Sequence, residues 1–300
     1  MLAIIIPYYK AVFFEETLQS LAVQTDKRFK VSLGDDTSPE SPAALLEKYN
    51  GQFDFVYHRF KTNLGAISLT QQWERCIALA VNEEWIMILG DDDVLSNNCV
   101  EGFYKNIDKV EQDGINVIRF ASQKIDGKGE VTSKIYEHPT IERAVQFLFD
   151  KTRSSLSEYV FRKSQVVAIG FKNFPLAWSA DVLAVLEFSN FGVIFSVNIA
   201  IVYIRISELS ISGSTGNQEQ KKQAKFAFYY YLVKNKHSCF SDTELKELYH
   251  RLNKCYINNK KQYLVFLKIS KMYFQKLQFK ENVLFLKQIM CFTKKNRINL

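Results

Sequence analysis

Three consecutive aspartates, Asp91, Asp92 and Asp93, form the strongest chemical signal in the sequence. They follow the apolar run of residues 85–89, and their mutual repulsion raises their pKa values or requires a counter-cation. Mg²⁺ and Mn²⁺ suit such a cluster, because these hard cations bind carboxylate and phosphate oxygens and keep several waters. The alternative is an acidic turn whose last aspartate caps a helix that begins near Ser96. Taken alone, the cluster leaves both interpretations open.

A second acidic pair, Asp35 and Asp36, follows the predicted strand of residues 29–34. By itself this pair favours an Asx turn or a helix cap before Ser38. The functional interpretation is a carboxylate that accepts the imide N–H group of a uracil or thymine base. The glycine-rich loops G-x-G-x-x-G and G-x-x-x-x-G-K-[ST] do not occur in the sequence, which argues against dehydrogenases and P-loop enzymes.

The elements that must position these aspartates alternate between strand and helix patterns. Strands are predicted over residues 2–7, 29–34, 53–58, 85–89, 116–121 and 159–162, with one or two more within 193–205, and helices over 15–24, 45–49, 66–81, 100–110, 141–149 and 179–188. Such alternation is typical of an α/β fold with a mainly parallel sheet. Ligands of these sheets bind outside the carboxyl ends of the strands. Both acidic clusters lie at strand ends, with the turn signal Asn63-Leu64-Gly65 between them.

The charge of the chain is distributed unevenly. Residues 221–300 hold 18 Lys and Arg against 4 Asp and Glu, whereas the whole chain has a net charge of +7, so residues 1–220 carry −7. This asymmetry predicts a folded domain over residues 1–215 and a basic helical region over residues 216–300. The acidic sign of the folded part argues against a nucleic-acid partner. For the basic region, packing on the core and binding to an anionic membrane surface are both open.

The five cysteines are scattered and form no C-x-x-C pair, which predicts free thiols in a reducing cytosol. The apolar N-terminus is too short to span a bilayer, and it lacks the charged start and cleavage site of a signal peptide. We therefore expect a cytoplasmic protein, either soluble or peripheral at the inner face of the cell membrane.

Five strings in the first 95 residues together resemble one enzyme family. IIIPYYK, LQSLAVQT, VSLGDDTSPES, NLG and WIMILGDDDVL are similar, in this order, to motifs of the inverting family 2 glycosyltransferases of the GT-A fold. The resemblance implies a Rossmann-related, mixed but mainly parallel sheet flanked by helices, with a nucleotide-binding half (residues 1–120), an acceptor half (residues 121–215) and a C-terminal helical extension. It also implies transfer of a sugar from a nucleotide-diphospho-sugar, with a UDP-sugar as the first expectation, to an acceptor hydroxyl. The acceptor would be a saccharide or a lipid-linked molecule in bacterial surface-polysaccharide or glycolipid assembly.

The resemblance further implies roles for individual residues. Its nucleotide-binding set is Pro7, Tyr9, Asp35, Asp36, Asn63, Gly65, Asp91 and Asp92. Within that set, Pro7, Tyr9 and Asp35 would contact the base. Asp91 would reach the ribose or a metal-bound water, and the set implied for Mn²⁺ or Mg²⁺ is Asp93 together with Asp91.

On the acceptor side, the family has an acidic general base that opens a helix, which nominates Asp181 in the string WSAD. A helix cap is the alternative interpretation of Asp181, and Glu187 and Glu158 are weaker candidates for the base. Arg205 is expected either to contact the diphosphate or to pair with a carboxylate.

Two departures from the family pattern keep other functions open. Lys10 stands where the family usually has Asn, and Ser207 stands where a His often holds the metal or the diphosphate. The metal shell is therefore predicted to depend on the aspartates alone. One alternative is a sugar-nucleotide-binding protein on a degenerate transferase scaffold. The other is a nucleotidyltransferase, which would need a Gly-rich, Arg- or Lys-bearing loop after the first strand that the string YYKA does not supply.

Overall fold

Residues 1–150, 154–257, 263–275 and 279–298 are described by a computed structural model of the chain. The chain divides into two compact units, residues 1–217 and residues 218–300. A central sheet with flanking helices makes up the first unit, and the second is helical.

The sheet is built around β1 (Leu2–Tyr8), a continuous apolar run. β2 (Phe29–Asp35) and β4 (Trp85–Ile88) pair with its two edges, and β3 (Asp54–Arg59) pairs with β2, all in parallel. A strand buried on both faces is apolar throughout, and residues 3–6 of β1 are fully buried. The carboxyl ends of these strands therefore meet at one edge of the sheet.

The second half of the sheet is mixed. β8 (Tyr159–Arg162) lies antiparallel between β4 and β6 (Val117–Ile125), and β9 (Val193–Arg205) is parallel to β6. β5 (Val94–Leu95) and β7 (Ile141–Arg143) pair antiparallel with opposite ends of β9. The order is β3-β2-β1-β4-β8-β6-β9-β5, with β7 beside β9. This mixed, mainly parallel sheet with helices around it confirms the predicted fold class.

Helices connect the strands and cover the sheet. They are α1 (Phe14–Ala22), α2 (Ala43–Lys48), α3 (Leu69–Ile77), α4 (Cys99–Gln112), α5 (Ala144–Phe149), α6 (Lys163–Ile169) and α7 (Ala180–Phe188). α1 shows why they pack: Phe14, Leu18 and Leu21 recur at helical spacing and are all fully buried.

Two of the predicted helices begin later than the pattern suggested. Residues 141–143 form β7, because Glu142 turns inward to an ion pair with the buried Arg119 at 2.6 Å while its two neighbours stay exposed. α3 begins at Leu69, because Ser68 is extended and its hydroxyl accepts the N–H group of Gln71 as an N-cap.

The second unit consists of α8 (Gln218–Asn235), α9 (Asp242–Ile257), α10 (Tyr263–Gln275) and α11 (Phe279–Ile298). Aromatic side chains hold three of these helices together: the Tyr273 hydroxyl donates to Asn253 Oδ1 at 2.8 Å, and the Phe285 ring contacts Tyr256. Within the described part of the chain, no helix combines the length and apolarity needed to cross a membrane. Residues 258–262, 276–278 and 299–300 of the predicted helical region lie outside the described residues.

Candidate functional site

The backbone of Tyr9, just beyond β1, joins the two acidic clusters. Its N–H group donates to Asp91 Oδ2 at 2.8 Å, and its carbonyl accepts the Ser38 hydroxyl at 2.7 Å. The Ser38 N–H group in turn donates to Asp35 Oδ1 at 2.7 Å. Lys10 adds a second backbone N–H bond to Asp91 Oδ2, also at 2.7 Å. The structure thus brings both predicted clusters together at the carboxyl edge of the sheet.

Pro7 lies in β1 directly opposite Gly34 of β2. The Tyr9 side chain is 39% exposed at the same edge. An exposed ring beside a strand end offers a stacking surface for a nucleobase. The predicted base contacts of both residues are consistent with this placement and stay predictions.

Asp35 is fully buried and already pairs with several protein groups. Its Oδ2 accepts the Tyr57 hydroxyl at 2.7 Å and forms an ion pair with Arg59 at 2.6 Å. Arg59 also donates to the Ser38 carbonyl at 2.9 Å. Because Oδ1 accepts one bond, from Ser38, it keeps a lone pair that a further donor could use. A base contact by Asp35 stays a prediction.

Asp36 organises the turn that contains Asn63 and Gly65. Its Oδ1 accepts the Leu64 N–H group at 2.7 Å, and its Oδ2 accepts that of Gly65 at 2.8 Å. Asn63 Oδ1 accepts the N–H group of Ala66 at 2.9 Å, which closes the turn on itself. All three predicted residues therefore belong to one hydrogen-bonded loop beside the Asp35 turn.

Gly65 is needed for this close approach. A Cβ atom at Gly65 would lie 2.5 Å from Asp36 Oδ2, far inside van der Waals contact. We expect Gly65→Ala to break the Asp36 bonds and to lower the free energy of unfolding by about 1–3 kcal/mol. Urea unfolding measures the change.

Gly127→Ala is the matched control, because its Cβ would meet nothing closer than a Phe13 ring atom at 3.9 Å. We expect that control to stay within about 0.5 kcal/mol of the parent. Equal stability of the two variants would contradict the tight packing of Gly65 against Asp36.

The acidic loop (residues 90–93) buries Asp93 and leaves the other two aspartates partly exposed. Asp93 Oδ1 accepts the Arg205 N–H group at 2.9 Å, and its Oδ2 accepts the Ser157 hydroxyl at 2.5 Å. Thr17 donates to the Asp93 carbonyl at 2.9 Å. Both carboxylate oxygens of Asp93 therefore bind the protein itself, and metal ligation by Asp93 stays a prediction.

Asp91 and Asp92 both have pKa values above the ordinary value of an aspartate. Burial, and next the charge of Asp92, raise the pKa of Asp91 from 3.8 to about 6, although the two backbone N–H bonds oppose the rise. Burial also raises the pKa of Asp92, against the nearby cations Lys10 and Arg205. Two carboxylates that resist ionisation side by side are stabilised by an added cation.

The raised pKa of Asp91 predicts that Asp91→Asn stabilises the metal-free protein. The folded-state pKa lies above the unfolded one, so ionisation of Asp91 costs stability that protonation restores. A pKa rise of this size corresponds to about 3 kcal/mol, and the partial exposure of Asp91 reduces the expected gain to about 1–3 kcal/mol. The Asn oxygen can still accept both backbone N–H groups.

Thermal unfolding in EDTA measures the effect. At pH 7.5 the Asp91→Asn melting temperature should exceed that of the parent by about 3–8 °C. The difference should shrink as the pH falls from about 6 to 4, because the parent carboxyl then becomes protonated. A variant that is less stable than the parent at pH 7.5 would contradict the prediction.

Arg205, at the end of β9, is buried and binds the backbone of the acidic loop. Its Nε donates to the Asp92 carbonyl at 2.9 Å, its Nη1 donates to the Asp126 carbonyl at 2.9 Å, and its Nη2 forms an ion pair with Glu16 at 2.5 Å. Of the two expected roles, the structure shows pairing with a carboxylate. Contact with a diphosphate stays a prediction.

The two departures from the family pattern lie close to the loop. The Lys10 ammonium donates to the Leu209 carbonyl and opposes the raised pKa of Asp92. Among the residues that the structure describes, the buried Ser207 hydroxyl has no hydrogen-bond partner, while the Ser207 carbonyl accepts the N–H group of Ser210 at 3.0 Å. A lysine cation thus lies where the family usually has an amide.

Asp181 lies in the first turn of α7. Its Oδ2 accepts the Ser154 hydroxyl at 2.7 Å. Three residues along the chain, Ser157 donates to Asp93 and accepts the Gly90 N–H group at 3.1 Å. Because three residues span at most about 11 Å, this short segment ties Asp181 to the neighbourhood of the acidic loop. The structure thereby brings the predicted base and the predicted metal site to one region.

The weaker candidates for the base are more deeply placed. Glu158 is 0% and Glu187 is 6% exposed, whereas Asp181 is partly exposed. A base must reach the acceptor hydroxyl within hydrogen-bonding distance, so exposure ranks Asp181 first. The N-cap position of α7 is Ser179, so Asp181 lies inside the first turn of the helix and not at its cap.

Sequence reasoning missed three polar side chains that complete the site: Arg59 and Arg75, which pair with Asp35 and Asp36, and Ser157. Arg59 could have been predicted from the sequence, because it ends a strand that is parallel to β2 and therefore lies at the same sheet edge as Asp35. Ser157 had a weaker one, the serine-rich string SSLS before β8. For Arg75 the helical position alone carries no such signal.

The residues present fit a divalent cation that is completed by a diphosphate. Among the side chains that the structure describes, no group of three or more His, Cys, Asp or Glu residues forms a metal site by itself. Mg²⁺ and Mn²⁺ are nevertheless often held by one or two carboxylates together with substrate phosphates. Asp91 and Asp92, whose pKa values are raised and whose side chains are partly exposed, would provide those two carboxylates.

Comparisons with known proteins identify the family and the fold of the chain. The family described as glycosyl transferase family 2 matches residues 3–164, and no curated protein matches the chain. S. aureus TarS 1–349 in complex with UDP-GlcNAc is similar in structure, with a TM-score of 0.61 and 13% identity over 90% of this chain and 79% of that one. The same protein in complex with UDP has a TM-score of 0.55 and 13% identity, with 100% and 92% covered.

GalNAc-T7 with UDP, GalNAc and Mn²⁺ is also similar, with a TM-score of 0.55 and 12% identity over 84% of this chain and 54% of that one. At these identities the structural likenesses concern the fold. The family match carries further, because it covers more than half of the chain and both acidic clusters. The chain belongs to glycosyl transferase family 2.

Proposed function

We propose that the protein transfers a sugar from a UDP-sugar to an acceptor hydroxyl. The observation that carries the proposal is a pair of hydrogen bonds made by the Tyr9 backbone. Its N–H group donates to Asp91, and its carbonyl accepts the hydroxyl of Ser38 in the Asp35 turn. It brings the two acidic clusters of a family 2 chain to one sheet edge. The choice of uridine is supported by the TarS and GalNAc-T7 structures, which contain UDP or UDP-GlcNAc.

The nucleotide half places its residues around the donor. Pro7, the Tyr9 ring and the Asp35 turn line the base, with Asp36 holding the loop of Asn63 and Gly65 beside them. Asp91, bound to the backbone of β1, lies where a ribose or a metal-bound water would be contacted.

Asp91 and Asp92 would hold Mn²⁺ or Mg²⁺. The metal, when bound, neutralises negative charge that develops on the departing diphosphate. The protein's own contribution is to keep the two carboxylates fixed: Arg205 holds the backbone of Asp92, and Asp93 anchors the loop to Ser157. The Lys10 ammonium adds positive charge near the same place, which also favours a diphosphate.

Asp181 is the general base in this proposal. It removes the proton from the acceptor hydroxyl as the oxygen attacks the anomeric carbon, while the bond from that carbon to the diphosphate breaks. A single displacement without an enzyme nucleophile inverts the anomeric configuration. Residues 121–215 would form the acceptor half around Asp181, and a saccharide or lipid-linked acceptor of surface-polysaccharide or glycolipid assembly is the proposed substrate class.

The basic second unit is proposed to bind an anionic membrane surface. Exposed apolar side chains at Leu267, Phe274, Leu284 and Leu286 lie among its lysines. Co-sedimentation of the full chain with anionic and with zwitterionic vesicles tests this part. Equal binding to the two kinds of vesicle, or no binding to either, would contradict the proposed membrane role.

A donor screen tests the proposed function. The protein is incubated with UDP-glucose, UDP-galactose, UDP-N-acetylglucosamine and UDP-N-acetylgalactosamine, each with Mn²⁺, with Mg²⁺ or with EDTA, and released UDP is measured. We expect metal-dependent release from at least one donor, with water as a slow acceptor. Metal-dependent binding of UDP without any turnover would support a degenerate scaffold instead. The absence of both would contradict the proposal.

A further inference from the structure

Ser154 connects the buried core to the proposed base. Its Oγ lies 2.7 Å from Asp181 Oδ2 and 2.9 Å from the hydroxyl of Tyr159. A carboxylate can only accept, and a serine has one O–H group, so the Ser154 proton is committed to Asp181. The Tyr159 hydroxyl must then donate to Ser154. The hydrogen bonds therefore run in one direction, from Tyr159 to Ser154 to Asp181.

Tyr159 is a rigid starting point for this chain of bonds. It is the first residue of β8 and is fully buried, with its backbone in register with Arg119 of β6. Its ring stacks on Phe161 at 5.8 Å and meets Phe147 edge-on at 6.4 Å. Burial raises the pKa of the Tyr159 hydroxyl well above its ordinary value, so the group keeps its proton and remains a donor.

The backbone in front of Asp181 needs such outside support. Leu176, Ala177 and Ser179 all have positive φ values, of 59°, 51° and 70°. L-residues rarely adopt this region, and each instance costs on the order of 1 kcal/mol. The Ser179 side chain makes no capping hydrogen bond to α7. Strained backbone of this kind persists where surrounding contacts determine it, and clusters at functional sites.

The same short segment also reaches the acidic loop. Ser157 donates to Asp93 Oδ2 at 2.5 Å and accepts the Gly90 N–H group at 3.1 Å. Ser154 and Ser157 therefore hold Asp181 and the acidic loop from one piece of chain, which fixes the distance between them.

We propose that Ser154 is a positioning residue for the Asp181 carboxylate and that Tyr159 holds Ser154 in place. The inference rests on the proposed function, in which Asp181 is the general base. Ser154 acts by restricting rotation of the carboxylate, so that the base meets the acceptor oxygen in a productive direction. A misplacement of about 1 Å in such a group costs on the order of 100-fold in rate.

Kinetics with the UDP-sugar that is turned over fastest in the donor screen test the proposal. We expect Ser154→Ala to lower kcat by about 10- to 100-fold while the donor KM and the affinity for UDP change less than about twofold. Ser154→Thr keeps the hydroxyl and should recover most of the rate. Tyr159→Phe should give a smaller loss than Ser154→Ala. Ser155→Ala is the matched control, expected within about twofold of the parent.

The double variant Ser154→Ala/Asp181→Asn separates positioning from general structural damage. If Ser154 acts only through Asp181, the double variant is no slower than Asp181→Asn alone. A Ser154→Ala rate near the parent's, alongside a large loss in Asp181→Asn, would overturn the positioning role and leave the proposed function intact. Near-normal turnover in Asp181→Asn would overturn the role of Asp181 as the base, and the positioning role of Ser154 with it, while sugar transfer by the protein would stand. UDP binding and thermal unfolding confirm that each variant is folded.

Discussion

Asp92→Asn is expected to lower the Mn²⁺-dependent affinity for UDP by about 100-fold or more. Asp92 and Asp91 both have raised pKa values, and in the proposed site the loss of one of two charged ligands would leave the cation with too few anionic oxygens. A 100-fold loss corresponds to about 2.7 kcal/mol. The amide is isosteric, and the Asp92 carbonyl can still accept the Arg205 Nε–H group, so the fold should persist. Isothermal titration with UDP in Mn²⁺ and in EDTA measures the change.

The same titration on Asp93→Asn compares the two ligand assignments. The resemblance to the family points to Asp93, whereas the structure engages both oxygens of Asp93 with Ser157 and the Arg205 backbone. We expect Asp93→Asn to lose stability as well as affinity, and Asp92→Asn to lose affinity alone. Asp54→Asn, an exposed aspartate in β3, is the matched control and should bind as the parent does. UDP binding that needs no metal and is unchanged in both loop variants would contradict a metal site here.

The second large effect is expected for Asp181→Asn, which should lower kcat by about 100- to 10,000-fold. The amide keeps the size of the side chain and can still accept the Ser154 hydroxyl, but it cannot take a proton from the acceptor. Donor KM and UDP affinity should remain within about threefold, because the proposed donor site is built from residues 1–120. Released UDP and transferred sugar are measured with the best donor of the screen.

Glu187→Gln provides the comparison within the same helix. Glu187 is 6% exposed, six residues after Asp181 in α7. Turnover near the parent's in this variant, together with the loss in Asp181→Asn, assigns the base to Asp181. The reverse pattern would make Glu187 the base, and two active variants would exclude both.

Much of the structure of residues 1–120 followed from local sequence. Continuous apolar runs predicted β1 and β4, because strands buried on both faces are mostly apolar. The α/β alternation then placed both acidic clusters at carboxyl strand ends, since parallel strands connected by helices all end at one edge. The fold class and the family were confirmed on this basis.

Other features depend on contacts between residues far apart in the chain. The start of the predicted helix at residue 141 was wrong, because the pairing of Glu142 with Arg119 across the sheet outweighs local helix periodicity. The bond from Ser157 to Asp93 joins residues 64 positions apart, and that from Arg205 to Asp93 joins residues 112 positions apart. No local pattern encodes such pairs.

The sequence by itself determined the sheet, the edge at which chemistry can occur and the acidic residues at that edge, because those depend on periodicity and strand direction. Only the tertiary structure decided which groups surround each aspartate. Asp93 and Asp36 lie where backbone and hydroxyl donors surround them, so they hold loops. Burial raises the pKa values of Asp91 and Asp92. A positive ion beside them would favour their charged forms, which suits both carboxylates to binding a cation.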